Sequence, residues 1–378
     1  MASQKSRSTD KIAFIDNLRT LLIILVVLHH SFITYGAPGS WYFTEKTNNT
    51  LAIGFMSLVT TANMTFFMGL IFFLSSCFIE KSLTGKGTKK FLLDRFKRLG
   101  IPLAFYSMIL SPTLNYISEH YGRREHDSFI GYLRGYRHWI DFGVLWFVAA
   151  LLLFTLFFVL FRRIKAIPVM KYSLPANKAI LGIAIILGII TWLVRGIFPI
   201  GWTLFPLNFQ LAYFPQYIAL FSLGIIACRN SWLEKISLAT SRLWLRLALI
   251  LIVIVLPLMV FFIKKENLSL DSFNGHFTWP SLLFAQWEMI TGISIIVALL
   301  GIAYHRLNRQ TKLTSTLART SYGVFIFHPL VLVCLSLLAQ GIPIEPLIKL
   351  FFVFPLAVIF SFLLSYSLTR IPFVAKII

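Results

Sequence analysis

The chain has 378 residues, of which 57% are hydrophobic and 13% charged, and its formal net charge is +21. Soluble domains carry about 25% charged residues, so this composition excludes a soluble enzyme and a disordered chain, while an odd count of three cysteines excludes a disulfide-built secreted scaffold. The excess positive charge sits in short segments between apolar runs, which favours a polytopic membrane protein over a nucleic-acid-binding one.

Apolar stretches of spanning length, about 20 residues each, recur along the whole chain. Ten are predicted, at 12–35, 51–79, 99–117, 144–161, 179–194, 208–227, 243–263, 281–303, 319–340 and 346–370. The first is expected to stay in the membrane as a signal anchor, because its apolar run is long and carries two histidines. The sequence therefore predicts an all-α membrane protein with a single transmembrane domain over residues 1–378 and no appended soluble domain.

The distribution of basic residues predicts the orientation of these spans. With the N-terminus in the cytoplasm, 26 of the 35 Lys and Arg residues fall in cytoplasmic segments and nine in external ones. Segments rich in basic residues thus alternate along the chain with segments poor in them, which predicts ten transmembrane helices with both termini in the cytoplasm. The longest polar stretch, at about 118–143, is then external and is predicted to form a lid or an interfacial helix.

The first span carries ionisable side chains, which are expensive to keep in a bilayer. Arg19 and His30 are eleven residues apart, which places them on one helix face, about 16 Å apart along the axis, whereas His29 points about 80° away. A neutral imidazole accepts a proton from a hydroxyl, as acyl transfer to an alcohol requires. Alternatively, His29 and His30 are interhelical hydrogen-bond partners only. Adjacent histidines point apart on a helix, so no metal site is predicted.

Two arginines precede the third span. Arg95 and Arg98 are three residues apart on a predicted helix, so their guanidinium groups can bind one anion, for which phosphate is the natural ligand. The alternative is that they only set the topology, because basic residues collect at cytoplasmic helix ends.

The ninth span contains Ser321, Tyr322 and His328, followed by Pro329. Ser321 and His328 share a helix face, but about 10 Å of helical rise separates them, so they are not predicted to form a nucleophile–base pair. His328 is expected to contact substrate or to pack, and Pro329 frees a backbone carbonyl beside it.

Four further positions lie in or next to the predicted outer half of the membrane. Glu288 is a lone carboxylate in the eighth span, and three roles remain open for it: base, substrate anchor or buried ion-pair partner, while Arg195 is a candidate ligand for a substrate carboxylate. Trp146 opens the fourth span and is typical of an interface aromatic. Asp141, just before it, is expected either to anchor a sugar hydroxyl or to pair with Arg137.

Together, these elements resemble the acyltransferase-3 family of integral membrane O-acyltransferases. The motifs are Phe14-Ile-Asp16-Asn-Leu-Arg19 with His30, Arg95-x-x-Arg98, Leu145-Trp146-Phe147, and Ser321-Tyr322 with His328. The resemblance covers essentially the whole chain. It is greatest to stand-alone members such as the glucan biosynthesis protein C group, which decorate periplasmic glucans, and the appended esterase-like domain of fused members is not expected here.

The resemblance implies transfer of an acyl group, acetyl or succinyl, from cytoplasmic acyl-CoA to a hydroxyl of an extracytoplasmic glycan or similar acceptor, in the bacterial inner membrane. It implies His30 as general base with Arg19 as a second catalytic residue, and Arg95 and Arg98 as ligands of the donor's phosphates. Acyl-CoA is then a donor substrate, and no bound cofactor or metal is expected. Further substrate contacts are expected from Asp16, His29, Trp146, Glu288, Ser321, Tyr322 and His328.

Three other classes of protein remain open. A transporter or flippase of glycans, lipids or small acids also needs many spans with buried ionisable residues, although no internal repeat is visible and intramembrane carboxylates are scarce. A membrane sensor or scaffold needs no chemistry at all. A polyprenol-dependent glycosyltransferase is disfavoured, because no carboxylate cluster is visible that would hold a metal-bound sugar donor.

Overall fold

The computed structural model describes residues 3–123, 128–164 and 171–377. Regular structure in these residues is helical throughout, apart from one isolated β-bridge between Leu204 and Phe209. The prediction of an all-α membrane protein is therefore confirmed.

Ten long helical segments in the described residues build the bundle. In chain order they are α1 (Ser3–Tyr35), α2 (Thr50–Lys86), α3 (88–122), α4 (Gly143–Ile164), α5 (Asn177–Ile197), α6 (Leu211–Arg229), α7 (Leu238–Lys265), α8 (Trp279–Arg306), α9 (Lys312–Gln340) and α10 (Pro346–Leu368). Within the described ranges, nine of them, all except α3, are long and apolar enough to cross a membrane. A short helix, Phe129–Gly135, follows α3, and residues 124–127 of the predicted external segment lie outside the described residues.

The count by composition is thus nine, where the sequence predicted ten, and α3 is the difference. It alternates α-helical and π-helical turns and contains two prolines, Pro102 and Pro112, so its apolar run is diluted. One end of α3 nevertheless contacts α9, through Tyr322 and the Arg98 carbonyl, and Ser118 near the other end donates to the carbonyl of Tyr42, just beyond α1. Twenty residues of helix rise up to about 30 Å, so α3 runs alongside the spanning helices.

The helix that carries the first histidines lies inside the bundle. α1 packs against α2, α8, α9 and α10. Of the apolar 18-residue stretch of α1, 67% is buried, compared with 17% of the corresponding stretch of α7. Leu18, Leu22 and Val26 recur at helical spacing on its buried surface. Polar groups on α1 are therefore presented to neighbouring helices rather than to lipid.

α2 is broken at two points, where it passes the site described below. At the first break, the carbonyl of Thr65 accepts a hydrogen bond from Nε2 of Gln216 on α6, at 2.5 Å. Gly292 of α8 packs so closely that a Cβ there would lie 1.9 Å from the same oxygen. At the second break, Cys77 is joined to Cys228 of α6 by a disulfide. These contacts hold the interrupted helix in place.

Replacing Gly292 by alanine is expected to destabilise the bundle, because the new methyl group forces α8 and α2 apart. We expect a loss of about 1–3 kcal/mol, seen as a lower melting midpoint of the purified protein. Gly182→Ala on α5 is the matched control, since a Cβ there meets nothing within 4 Å and alanine favours a helix. Equal melting midpoints for Gly292→Ala and wild type would contradict the close packing.

Candidate active site

Two histidines from distant parts of the chain meet inside the bundle. His30 Nδ1 on α1 lies 3.0 Å from His328 Nε2 on α9, and the two rings are stacked with centroids 5.1 Å apart. His328 is fully buried, whereas His30 is half-buried. The packing of α9 against α1 thus gives His30 a polar partner that its own helix cannot supply.

Pro329 determines which nitrogen of each ring carries the proton. Proline has no N–H, so it cannot make the helical hydrogen bond to the carbonyl of Phe325, four residues earlier. His328 Nδ1 lies 2.9 Å from that oxygen and donates to it. The lone pair of His328 is then on Nε2, so His30 donates from Nδ1. A neutral His30 consequently holds its own lone pair on Nε2, the acceptor nitrogen.

Trp41, in the loop after α1, completes this cluster and was not found by the sequence analysis. Its ring stacks on the imidazole of His30, with centroids 4.1 Å apart and planes 15° apart. Its indole Nε1 is buried and has no hydrogen-bond partner among the described residues. No spacing rule links a loop residue to a side chain on the preceding helix, so no sequence pattern predicts this contact.

His29 points to another helix, as the helical phase predicts. Its ring packs 5.1 Å from that of Phe67 on α2, and its Nδ1 is buried without a hydrogen-bond partner in the described part of the chain. The structure therefore separates the two adjacent histidines, and only His30 joins the cluster with His328.

Arg19 lies about three helical turns from His30 along α1. The site therefore has two levels, one around the histidines and one around the arginines. Arg19 Nη2 donates to the carbonyl of Leu74 at 2.7 Å, and Nη1 lies 3.7 Å from an oxygen of Asp16. Leu74 belongs to the last turn of the segment Phe67–Ser76 of α2, where carbonyls lack helical donors. Arg19 thus caps this helix end, and Asp16, predicted to contact substrate, is its ion-pair partner here.

Arg95 and Arg98 of α3 lie at the same level, within electrostatic reach of Arg19. Burial, and then the neighbouring charge of Arg98, lower the pKa of Arg95, as expected where positive charges crowd together. Tyr322 fixes the backbone here, because its Oη donates to the Arg98 carbonyl at 3.0 Å, an oxygen to which Pro102 cannot donate. Three guanidinium groups therefore gather at one end of the bundle.

Ser321 of α9 also lies at the arginine level rather than beside the histidines. Its Oγ is buried, 3.1 Å from Oγ1 of Thr20 on α1, and donates to the Leu317 carbonyl at 2.7 Å. Ser321 and His328 therefore have separate partners, in agreement with the prediction that they do not form a nucleophile–base pair.

Glu288 and Arg195 form an ion pair in the interior. Their Oε2 and Nη2 atoms are 2.6 Å apart, and the side chains are 2% and 0% exposed. Arg195 also donates from Nε to the Ala212 carbonyl at 3.3 Å. Of the three roles left open for Glu288, the geometry shows the ion-pair partner, and the Arg195 guanidinium is committed to it rather than available to a substrate carboxylate.

The sequence predicted Trp146 to be an interface aromatic, but the residue lies inside the bundle. Its ring stacks on Tyr217 of α6 at 5.5 Å and lies 6.4 Å from Phe72 of α2. The reason is that the start of α4 is covered by α2 and α6, which the hydropathy of α4 alone does not reveal.

A polar cavity of about 620 Å³ lies at the end of the bundle opposite the three arginines. Asp141 lines it, and its carboxylate accepts hydrogen bonds from Asn208 Nδ2 at 2.6 Å, from the Gly143 amide at 2.9 Å and from Ser111. Aromatic and planar polar side chains form much of the remaining wall: Asn115, Tyr132, Tyr136, His138 and Phe205. The ring of Tyr42 lies 5.3 Å from that of Trp41, and its hydroxyl is 2.8 Å from that of Tyr106.

Comparison with known proteins identifies the family of this chain. The family model described as an acyltransferase domain, that of the acyltransferase-3 family, matches residues 12–368, more than nine-tenths of the chain. Searches among curated proteins and among solved structures found no match. The matched region contains both the histidine cluster and the three arginines. The chain therefore belongs to the acyltransferase-3 family and is an integral membrane acyltransferase.

Proposed function

We propose that this enzyme transfers an acyl group, acetyl or succinyl, from cytoplasmic acyl-CoA to a hydroxyl of an extracytoplasmic glycan or similar acceptor, with His30 as general base. The observation that carries the proposal is the hydrogen-bonded series from the Phe325 carbonyl through His328 to His30. It leaves a lone pair on Nε2 of a neutral, half-buried imidazole, which is the form a general base requires.

The donor binds with its phosphates at the arginine level. Arg95 and Arg98 supply forked N–H donors that suit phosphate oxygens. Arg19 lies beside them, on the face of α1 that also carries His30. From there to His30 is about 16 Å along α1. The long flexible arm between the phosphates and the thioester of acyl-CoA suits a site divided in this way.

The reaction consists of one transfer, with His30 carrying a single proton. The acceptor oxygen attacks the thioester carbonyl carbon while its proton passes to His30 Nε2. The tetrahedral intermediate collapses, the carbon–sulfur bond breaks, and the imidazolium returns the proton to the departing thiolate. The products are an ester and free CoA, and His30 is neutral again. His328 keeps the imidazole in the productive orientation.

The acceptor enters from the cavity lined by Asp141. Aromatic faces and planar polar groups in the wall, such as Tyr136 and Asn208, are suited to the apolar faces and hydroxyls of a sugar. Since the positive-inside distribution assigns the arginine end to the cytoplasm, the cavity faces the other side of a bacterial inner membrane. Membership of the glucan biosynthesis protein C group is compatible with such an acceptor and is part of this proposal.

The first test is mass spectrometry of ester-linked acyl groups on envelope glycans from cells with wild type or His30→Ala. General-base removal is expected to lower ester formation at least 100-fold at equal membrane levels. His29→Ala is the matched control, because it removes the adjacent imidazole, which faces α2, and a much smaller loss is expected. Ester profiles that are identical in wild type, His30→Ala and cells lacking the protein would reject glycan acylation and favour a transporter.

Replacing Pro329 by alanine tests how His30 is oriented. The new N–H competes for the Phe325 carbonyl, so His328 loses its fixed tautomer, and we expect about a tenfold loss of transfer rate without loss of melting stability. Pro355→Ala in α10 is the control, because Pro355 also interrupts a helix but faces outward. Equal transfer rates for Pro329→Ala and wild type would show that catalysis does not depend on the hydrogen bond from His328 to the Phe325 carbonyl.

Replacing both arginines by glutamine tests donor binding. We expect Arg95→Gln with Arg98→Gln to raise KM for acyl-CoA about tenfold or more, since charge-assisted phosphate contacts are lost. Lys89→Gln removes an exposed positive charge from the same helix and is expected to have little effect. Parallel increases in KM for the double variant and for Lys89→Gln would indicate a general electrostatic effect instead of a phosphate site.

A further inference from the structure

We infer that Trp41 is a positioning residue for transfer: its ring face holds the plane of the His30 imidazole and stabilises the imidazolium that forms when His30 takes the acceptor's proton. This inference rests on the proposed function, since it assigns a partner to the base proposed there. It concerns a loop residue that contacts the base directly, through its ring and without a hydrogen bond.

Three nearly parallel rings meet at His30. The rings of Trp41 and His30 are 4.1 Å apart and 15° from parallel, and the ring of His328 is within 18° of both. The hydrogen bond that His30 donates to His328 fixes one edge of the His30 ring, and the indole covers its face. Two independent contacts therefore leave the imidazole little freedom to rotate, and Nε2 keeps one direction.

The charges around His30 leave the indole as the group suited to a cation. The titratable side chains that face His30 are His328, which accepts its hydrogen bond, and His29, whose ring is 5.6 Å away. Both are neutral or positive, and in the described part of the chain no carboxylate hydrogen-bonds either His30 or His328. An imidazolium formed here therefore finds its electrostatic partner in the negative face of a π system, and tryptophan provides the strongest one.

The unpartnered indole nitrogen supports this reading. Nε1 of Trp41 is buried without a hydrogen bond among the described residues, an arrangement that destabilises a folded protein. Phenylalanine would cover His30 without burying an N–H group. Tryptophan at this position is consequently poorly explained by packing alone, and well explained by the stronger attraction of its ring for a cation.

The test compares Trp41→Phe and Trp41→Leu with wild type in steady-state assays on purified protein in lipid nanodiscs. The donor is acetyl-CoA or succinyl-CoA, chosen by which ester the mass-spectrometry experiment identifies, and envelope glycan from cells lacking the protein is the acceptor. Release of free thiol measures turnover. We expect kcat to fall about tenfold in Trp41→Leu and less in Trp41→Phe, with KM for the donor within twofold of wild type.

Stability and a control variant separate positioning from folding. The melting midpoint of Trp41→Phe is expected to equal or exceed that of wild type, because the unpartnered N–H is gone. Trp202→Phe, which changes a partly exposed indole in the loop before α6, is expected to leave kcat unchanged. An unchanged kcat in Trp41→Leu, an effect on KM alone, or equal losses of kcat in Trp41→Leu and Trp41→Phe would overturn the inference.

Failure of this inference is distinguishable from failure of the proposed function. If His30→Ala retains full turnover, there is no base at His30, and both proposals fail. If His30→Ala is inactive while Trp41→Leu turns over like wild type, the base stands and only the role of Trp41 is rejected.

Discussion

A hydrogen bond that Pro329 cannot make determines the chemistry of the central histidines. Without that N–H, the Phe325 carbonyl is left for the His328 side chain, and this contact, with a longer one of 3.3 Å to the Val324 carbonyl, places the proton on Nδ1 of His328. The tautomer of His30 follows through the 3.0 Å contact between the rings. The missing N–H of Pro329 in α9 thus determines which nitrogen of His30 on α1, the proposed general base, carries the lone pair.

A second proline works in the same way at the other end of the bundle. Pro102 cannot donate to the Arg98 carbonyl, and Tyr322 of α9 donates to it from its side chain. α9 therefore fixes both levels of the site, through Tyr322 beside the arginines and through His328 beside His30. Because both residues lie on one helix, the separation between the arginines and His30 is set by helix geometry, as it is on α1.

The sequence predicted what a single helix determines and missed what separate helices share. The phase of α1 placed Arg19 and His30 on one face at two levels, and the rise of α9 excluded a Ser321–His328 pair, because both depend on local geometry. The bond from His30 to His328 joins residues 298 positions apart, and the pairing of Arg195 with Glu288 and the stack of Trp41 likewise depend on tertiary packing. No periodic pattern in one sequence encodes such contacts. The difference between ten predicted spans and nine helices that are apolar enough to cross a membrane has another cause. The prolines and polar turns of α3 lower its hydropathy without shortening the helix.

The separation of charge from base has a physical rationale. A carboxylate beside His30 would favour the imidazolium form before the acceptor arrives, and an imidazolium cannot take a hydroxyl proton. His328 orients the ring while remaining neutral. The arginines would oppose the imidazolium if they were adjacent, by about 4 kcal/mol per charge at 4 Å in a medium of effective dielectric constant 20, but by only about 1 kcal/mol at 16 Å. In the proposed reaction, a donor held by its phosphates beside the arginines and attacked beside His30 would let one site bind an anion strongly and still form a cation.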